Sequence, residues 1–199
     1  MRYVHFMKKN SSGFKEFVIA GLRDPKKVST IFPSMSALAQ ALIRHSGMKE
    51  GHNVLELGCG SGAITRHILD GSIPLNSYTG VEIDGDLISF LNSHYPGQRF
   101  LKTSADDLKD HIEDESIDAV ISTLPWTLFP RELQISTIEE IIRVLKPGGK
   151  FTTFLCLHAL AYPGAPRAKK IFKEYFTGFE KRVTVAANIP PANVYLGQK

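Results

Sequence analysis

Cysteine and long apolar runs are both scarce in this chain, and each scarcity excludes something. Its two cysteines, Cys59 and Cys156, lie in apolar, strand-like stretches with no paired spacing and no histidine cluster beside them. That argues against a disulfide framework and against a zinc site, so no metal is expected. No apolar run approaches the roughly 20 residues needed to span a bilayer, and the opening MRYVHFMKKNSSG lacks the apolar middle of a secretory signal. The protein is therefore expected in the cytoplasm or on the cytoplasmic face of the membrane. Acid is scarce at one end only. Residues 1–50 carry nine Lys or Arg against three Asp or Glu, +6, while the remainder carries 15 against 17, −2. A basic arm on a near-neutral body suits a polyanion, either nucleic acid or an anionic lipid surface.

What is present is enough for one full core, at 199 residues and 43% hydrophobic. After residue 50, short β-branched runs alternate with helical stretches. Strands are predicted at 53–57, 77–83, 99–102, 119–123, 149–157, 178–187 and 192–197, and helices at 63–69, 85–94, 132–144 and 167–176. Such alternation argues for a mainly parallel sheet covered on both faces. The last two strands have no helix between them, only Asn188-Ile189-Pro190-Pro191, and should form an antiparallel hairpin at one edge. Before residue 50, Phe14, Phe17, Val18 and Leu22 recur on one helical face. A second helix is predicted from Pro33-Ser34, with Ser34 as N-cap, through Leu38, Leu42 and Ile43.

The densest signal is NVLELGCGSGAITRHIL, residues 53–69, in which Gly58, Gly60 and Gly62 follow an apolar run and precede a helix. Strand, glycine-rich turn and helix together bring backbone close to a ligand. The spacing is G-x-G-x-G and not the dinucleotide fingerprint G-x-G-x-x-G, and Glu56 stands two residues ahead of the turn, where an acid repels phosphate and attracts a cation. Glu82, ending the strand 20 residues past Gly62, is placed to accept hydrogen bonds from both hydroxyls of a ribose. A ligand with a ribose, close backbone approach and positive charge is required, and S-adenosylmethionine meets all three. The alternative is that the glycines serve only tight strand-to-helix packing.

These segments resemble the class I S-adenosylmethionine-dependent methyltransferases: E-L-G-C-G-S-G, G-V-E-I-D, and R-V-L-K-P-G-G-K at 143–150 as the helix and turn before the fifth strand. The resemblance implies an α/β, Rossmann-like, seven-stranded sheet, mostly parallel with an antiparallel C-terminal hairpin, helices on both faces, and an N-terminal helical appendage. Domain limits follow as a basic, amphipathic arm and lid at 1–50 and a methyltransferase domain at 51–199. By family position Glu56, Gly58 and Gly60 meet the methionine part, with Gly62 completing the turn, Glu82 meets the ribose and Ile83 one face of the adenine. Ser104-Ala105-Asp106 stands where many relatives have Asp-Ala. Ser104 departs from that pattern, which leaves Ala105 and Asp106 for the adenine.

Thr123-Leu124-Pro125-Trp126 follows the fourth strand, where class I enzymes place the acceptor. Enzymes acting on adenine carry an Asn or Asp at the first of these positions, and Thr123 loses that amide, which disfavours a planar base amine and favours an alkyl amine. Trp126 either presents its π face to an ammonium or fills core space. Together with Phe32–Ala39 and the terminal Asn188–Tyr195, the chain resembles the soluble, peripheral phospholipid N-methyltransferases of bacteria, which methylate phosphatidylethanolamine towards phosphatidylcholine. That resemblance implies an anionic membrane partner reached through the basic N-terminal helix, with Thr123, Leu124, Pro125, Trp126 and Tyr195 at the catalytic end. Tyr162, Tyr195 and His158 are candidate proton acceptors, none of them assigned, and His158, which follows an apolar strand, is expected rather as a core histidine. An rRNA adenine N6-methyltransferase-like enzyme is the second reading, with a methyltransferase of another small amine and a cofactor-binding protein without catalysis as further ones.

Overall fold

A computed structural model of the protein describes residues 32–199, and the predicted helix around Phe14–Leu22 and the rest of the basic arm up to residue 31 lie outside them. The elements run α1 (Phe32–His45), β1 (Asn53–Leu57), α2 (Thr65–Leu69), β2 (Ser77–Glu82), α3 (Gly85–His94), β3 (Arg99–Lys102), β4 (Ile117–Ser122), α4 (Arg131–Val144), β5 (Leu145–Cys156), a 3₁₀ turn (His158–Ala161), α5 (Gly164–Tyr175), β6 (Thr177–Val185) and β7 (Ala192–Gln198). Seven strands form one sheet in the order β3-β2-β1-β4-β5-β7-β6, parallel except for β7, which is antiparallel to both neighbours. This is the Rossmann-like arrangement expected. β1 and β4 are adjacent, so the chain reverses direction across the sheet between them, and a ligand crevice opens at the carboxyl ends of strands at such a point.

Period-2 alternation sorts the strands' side chains between two helical layers. Val54, Ala119, Ile121, Ala192 and Val194 face α1 and α2, where Leu38, Ala39, Leu42, Ile64 and Ile68 are buried against them. Phe151 and Tyr195 point the other way, into an aromatic cluster with Trp126, Phe129, Phe172, Phe176 and Phe179 under α4 and α5. Leu38 and Leu42 are fully buried, so α1 is a layer of the core; residues 33–199 form one compact unit, and the domain reaches back past the limit expected at 51.

Other differences from the predicted elements have local causes. Ser34 lies inside α1 and is not its N-cap, since Pro33, with φ preset for helix and no N–H to bond, is accommodated in the first turn. Positive φ at Gly60 and Gly62 delays α2, which begins at Thr65 and not at 63. Lys146-Pro147-Gly148-Gly149 is not a turn ahead of β5 but an irregularity within it. Ile117 pairs with Leu145 while Ala119 pairs with Lys150, and the Lys146 ammonium closes the bulge on both Asp118 oxygens at 2.8 Å.

Candidate active site

The glycine turn is held from below. Gly58 N and Cys59 N donate to Val81 O (2.8 and 3.2 Å), Gly60 N donates to the Glu82 carboxylate (2.9 Å) and Gly62 N to Cys59 O (2.9 Å). Four N–H groups that would cradle a phosphate are spent on protein acceptors, so this turn is not built for an anion. Gly58 (φ +83°) has a second reason to lack a side chain: a Cβ there would sit 3.1 Å from Thr123 Oγ1 and 3.2 Å from Leu124 Cδ2. Its absence lets the β4 turn close against the β1 turn. A Cβ on Gly60 (φ +53°) would enter open space, so backbone geometry alone calls for glycine there.

Glu82 is buried at the end of β2 and preset. Beyond Gly60 N, its carboxylate accepts from Ile83 N (2.7 Å) and Asp84 N (3.0 Å), which leaves acceptor capacity on Oε2. Asp84 then caps α3 through Asp86 N and Leu87 N. Ile83 is half-buried at the same edge, and Glu82 pairs with Lys102 at the end of β3, so the loop carrying buried Ala105 and half-buried Asp106 lies beside it. The Ser104 hydroxyl donates to the Asp106 carboxylate, so the residue that departs from the family pattern orients its replacement.

Glu56 is fully buried beneath the turn. Tyr78 Oη (2.6 Å) and Thr65 Oγ1 (2.8 Å) donate to its Oε2, while Oε1 has no hydrogen-bond partner. Burial, only partly offset by those two donors, pushes its pKa up to about 7. An unsatisfied carboxylate under the turn favours a cationic ligand above it.

The acceptor side differs from what the sequence suggested. Thr123 joins the two turns: its N–H donates to Leu57 O (2.9 Å) and its hydroxyl to Gly58 O (2.5 Å). Leu124 and Pro125 are half-buried there. Trp126, expected as a π face for the ammonium or as core, is core. It is fully buried, its indole N–H reaches Thr153 Oγ1 (3.0 Å) and Ser122 Oγ (3.2 Å), and Phe129, Phe151 and Phe172 pack edge-on around it. Tyr195 is not at this turn. β7 is antiparallel, so Ala192 sits at the carboxyl edge beside Cys156 and each later residue lies deeper, with Tyr195 opposite Thr153. His158, expected in the core, is exposed instead, because the chain leaves the sheet after β5 and turns into the 3₁₀ segment that carries it.

Two residues that periodicity could not single out hold the segment after β4. Gln134, fully buried on α4, donates to Trp126 O (2.6 Å) and Gly164 O (3.3 Å), and Arg167 on α5 donates to Gln134 Oε1 (2.9 Å) and Phe129 O (2.7 Å). A polar Gln at a buried position of a helical stripe was the available signal.

Known proteins share this sequence pattern and fold. Residues 54–149 match the methyltransferase domain family. The chain is 28% identical to the ornithine lipid N-methyltransferase of Singulisphaera acidiphila over 84% of its own length and 86% of that protein's. It is 30% identical to the ribosomal RNA small subunit methyltransferase A of Bordetella pertussis, but over 52% of its length and only 38% of that enzyme's. The solved Burkholderia thailandensis 1,6-didemethyltoxoflavin-N1-methyltransferase, with S-adenosylhomocysteine bound, shares the fold with a TM-score of 0.72 at 17% identity, over 97% of this chain and 89% of that one. The chain is an S-adenosylmethionine-dependent methyltransferase.

The cleft of this methyltransferase fits that cofactor on its own terms. The turn is closed to phosphate, Gly60 leaves open space above it, Glu56 keeps an orphaned carboxylate oxygen beneath it, and Glu82 retains acceptor capacity beside it. When bound, the cofactor supplies an electrophilic methyl on a sulfonium. The chain's part would be to hold it over the turn, with the β1 and β4 turns locked together through Thr123.

Proposed function

We propose that the methyltransferase methylates the amine of an aminolipid, with phosphatidylethanolamine as acceptor, at a membrane surface. One observation carries this reading. Four of the five large apolar side chains exposed among the described residues, Leu128, Leu157, Tyr162 and Ile189, sit on the segments that follow β4 and β5 and join β6 to β7. All three segments lie at the carboxyl edge, since Leu157 N donates to Pro191 O at 2.8 Å. An apolar rim round an acceptor site suits a substrate delivered from lipid better than one delivered from water.

Further points support it. Thr123 spends its hydroxyl hydrogen on Gly58 O, so the site has neither the amide nor a free hydroxyl donor at the position where base-methylating relatives carry Asn or Asp. A relative matched along most of both chains is named an ornithine lipid N-methyltransferase, whereas the rRNA methyltransferase match is partial. An alkyl ammonium, with a pKa near 10 in water, must lose a proton before it attacks; desolvation and a neighbouring cation both lower that pKa, so a strong general base is unnecessary. The +6 charge on residues 1–50 adds attraction to anionic lipid. No helix among the described residues is long and apolar enough to cross a membrane.

The rim gives the test. Leu128→Ser with Leu157→Ser should lower kcat/KM on vesicle-borne phosphatidylethanolamine by about tenfold through lost apolar contact, with cofactor affinity unchanged. Equal rates for variant and wild type on vesicles would remove the rim from the account.

A further inference from the structure

On the far side of β5 from the methyl-transfer cleft, a cavity of about 490 Å³ lies between α5 and the β6–β7 ladder. Lys169 and Lys173, one turn apart on α5, and Lys181 on β6 line it, with Phe179, Tyr195 and Asn193 buried at its floor. Glu180 also lines it, but its carboxylate is paired with Arg182 and leaves the lysines uncompensated. Among the described residues neither Lys173 nor Lys181 has an acidic partner, and the Lys169 ammonium stands 5.4 Å over the Tyr195 ring, which stacks on Phe179.

The floor is polar in a directed way. Thr184 Oγ1 donates to Asn193 Oδ1 (2.7 Å), which turns the Asn193 amide N–H towards the Tyr195 oxygen (3.5 Å). A phenol that accepts there keeps its own proton to donate. Three ammonium groups and one O–H donor around a single cavity match the oxygens of a phosphate group, for which lysine serves as a compact point charge.

We propose that this cavity binds a phosphate group, through Lys169, Lys173, Lys181 and the Tyr195 hydroxyl. The site is separate from the acceptor site. Ser122 pairs with Thr153 and Thr153 with Tyr195, so two strand spacings of about 4.8 Å each separate Tyr195 from β4. An ethanolamine phosphodiester has only a few bonds between nitrogen and phosphorus and does not bridge that distance. The phosphate therefore belongs to a second molecule, either a lipid headgroup in the same surface or a free phosphate ester, and the inference goes beyond the aminolipid reading without needing it.

The test uses the full chain without cofactor and two probes: inorganic phosphate by calorimetry, and sedimentation with phosphatidylcholine vesicles with and without phosphatidylglycerol. Each lysine near an anionic surface is worth about fivefold in binding, so Lys173→Ala with Lys181→Ala should weaken association with phosphatidylglycerol vesicles by about 30-fold. Removing the same charge at exposed Lys49 and Lys109, which do not line the cavity, should cost far less. Tyr195→Phe keeps the ring stack and should lower phosphate affinity by at least about tenfold, the loss of one hydrogen bond to a charged group. Binding of inorganic phosphate that competes with vesicles identifies a general phosphate site; vesicle binding without it assigns the site to a lipid headgroup. If the Lys49/Lys109 variant loses as much as the Lys173/Lys181 variant, or if Tyr195→Phe binds both probes like wild type, the basic surface is diffuse and the proposal is overturned. Because none of these readouts involves methyl transfer, they stand or fall apart from the choice of acceptor.

Discussion

Glu56 shows how much one buried side chain sets in this cleft. Its pKa is about 7 when folded against 4.5 for the exposed group, so between those values the folded state holds a proton that the unfolded chain has released. Its contribution to stability is therefore greatest below pH 4.5 and falls as pH rises towards 7, by about 3 kcal/mol in all. Glu56→Gln, neutral at every pH, should lose that slope, as denaturant titrations at pH 5 and pH 8 would show. A cation bound over the turn favours the ionised form, so wild-type affinity for S-adenosylmethionine should rise as pH increases through 7 while that of Glu56→Gln stays flat. Glu82 makes a second test. Glu82→Ala removes the acceptor proposed for the ribose, at about 1.5–3 kcal/mol per charge-assisted bond, and also strands Gly60, Ile83 and Asp84 N–H groups. Calorimetry should find cofactor affinity at least about a hundredfold lower, with a reduced Tm. These acids were legible in the sequence because their chemistry depends on place in a strand–turn–strand pattern. Trp126 was not, because burial of a lone aromatic at a strand end is decided by partners on β4, β5 and α5, among them Ser122, Thr153 and Phe172, that no local pattern reveals.

At the scale of elements, the segment after β4 is held by polar contacts between helices. Gln134 bridges Trp126 O and Gly164 O, and Arg167 bridges Gln134 and Phe129 O. Gln134→Ala removes both bridges and leaves two buried carbonyls short of a donor, at about 1–3 kcal/mol each. We expect a lower Tm and a fall in kcat with cofactor affinity kept, since the glycine turn hangs from β2 and not from α4. Cofactor affinity that falls in step with kcat would show that the two sides are not separately supported. The strands were readable from their β-branched runs, and the antiparallel pair from the missing helix between the last two. Less readable were places where backbone geometry competes with pattern: the bulge at 145–149, driven by Lys146 reaching Asp118, and the late start of α2. Thr123 read correctly as lacking an amide. Its part as the tie between the β1 and β4 turns depends on Gly58 having no Cβ, a contact between residues 65 positions apart.

For the whole molecule, charge and apolar surface point the same way. The +6 excess of residues 1–50 and the apolar rim at the carboxyl edge both suit an anionic bilayer, through long-range attraction in one case and desolvation in the other. Lys26→Glu with Lys27→Glu should reduce sedimentation with anionic vesicles, with the difference fading as salt rises, while cofactor affinity remains that of wild type. Overall architecture was the most legible scale, because strands alternating with helices call for a mainly parallel sheet covered on both faces. The backward reach of the domain to α1 was not, since an amphipathic helix in a basic stretch carries the same pattern whether it covers a sheet or meets another surface. The central claim is transfer of a methyl group to a lipid amine in this cleft. It is tested most directly by incubating the purified chain with methyl-labelled S-adenosylmethionine and, in parallel, phosphatidylethanolamine vesicles, ornithine lipid vesicles and small-subunit rRNA, and locating the label by mass spectrometry. Label on the ethanolamine nitrogen, absent with Glu82→Ala, is the expected result; label on rRNA adenine with none on either lipid would contradict it.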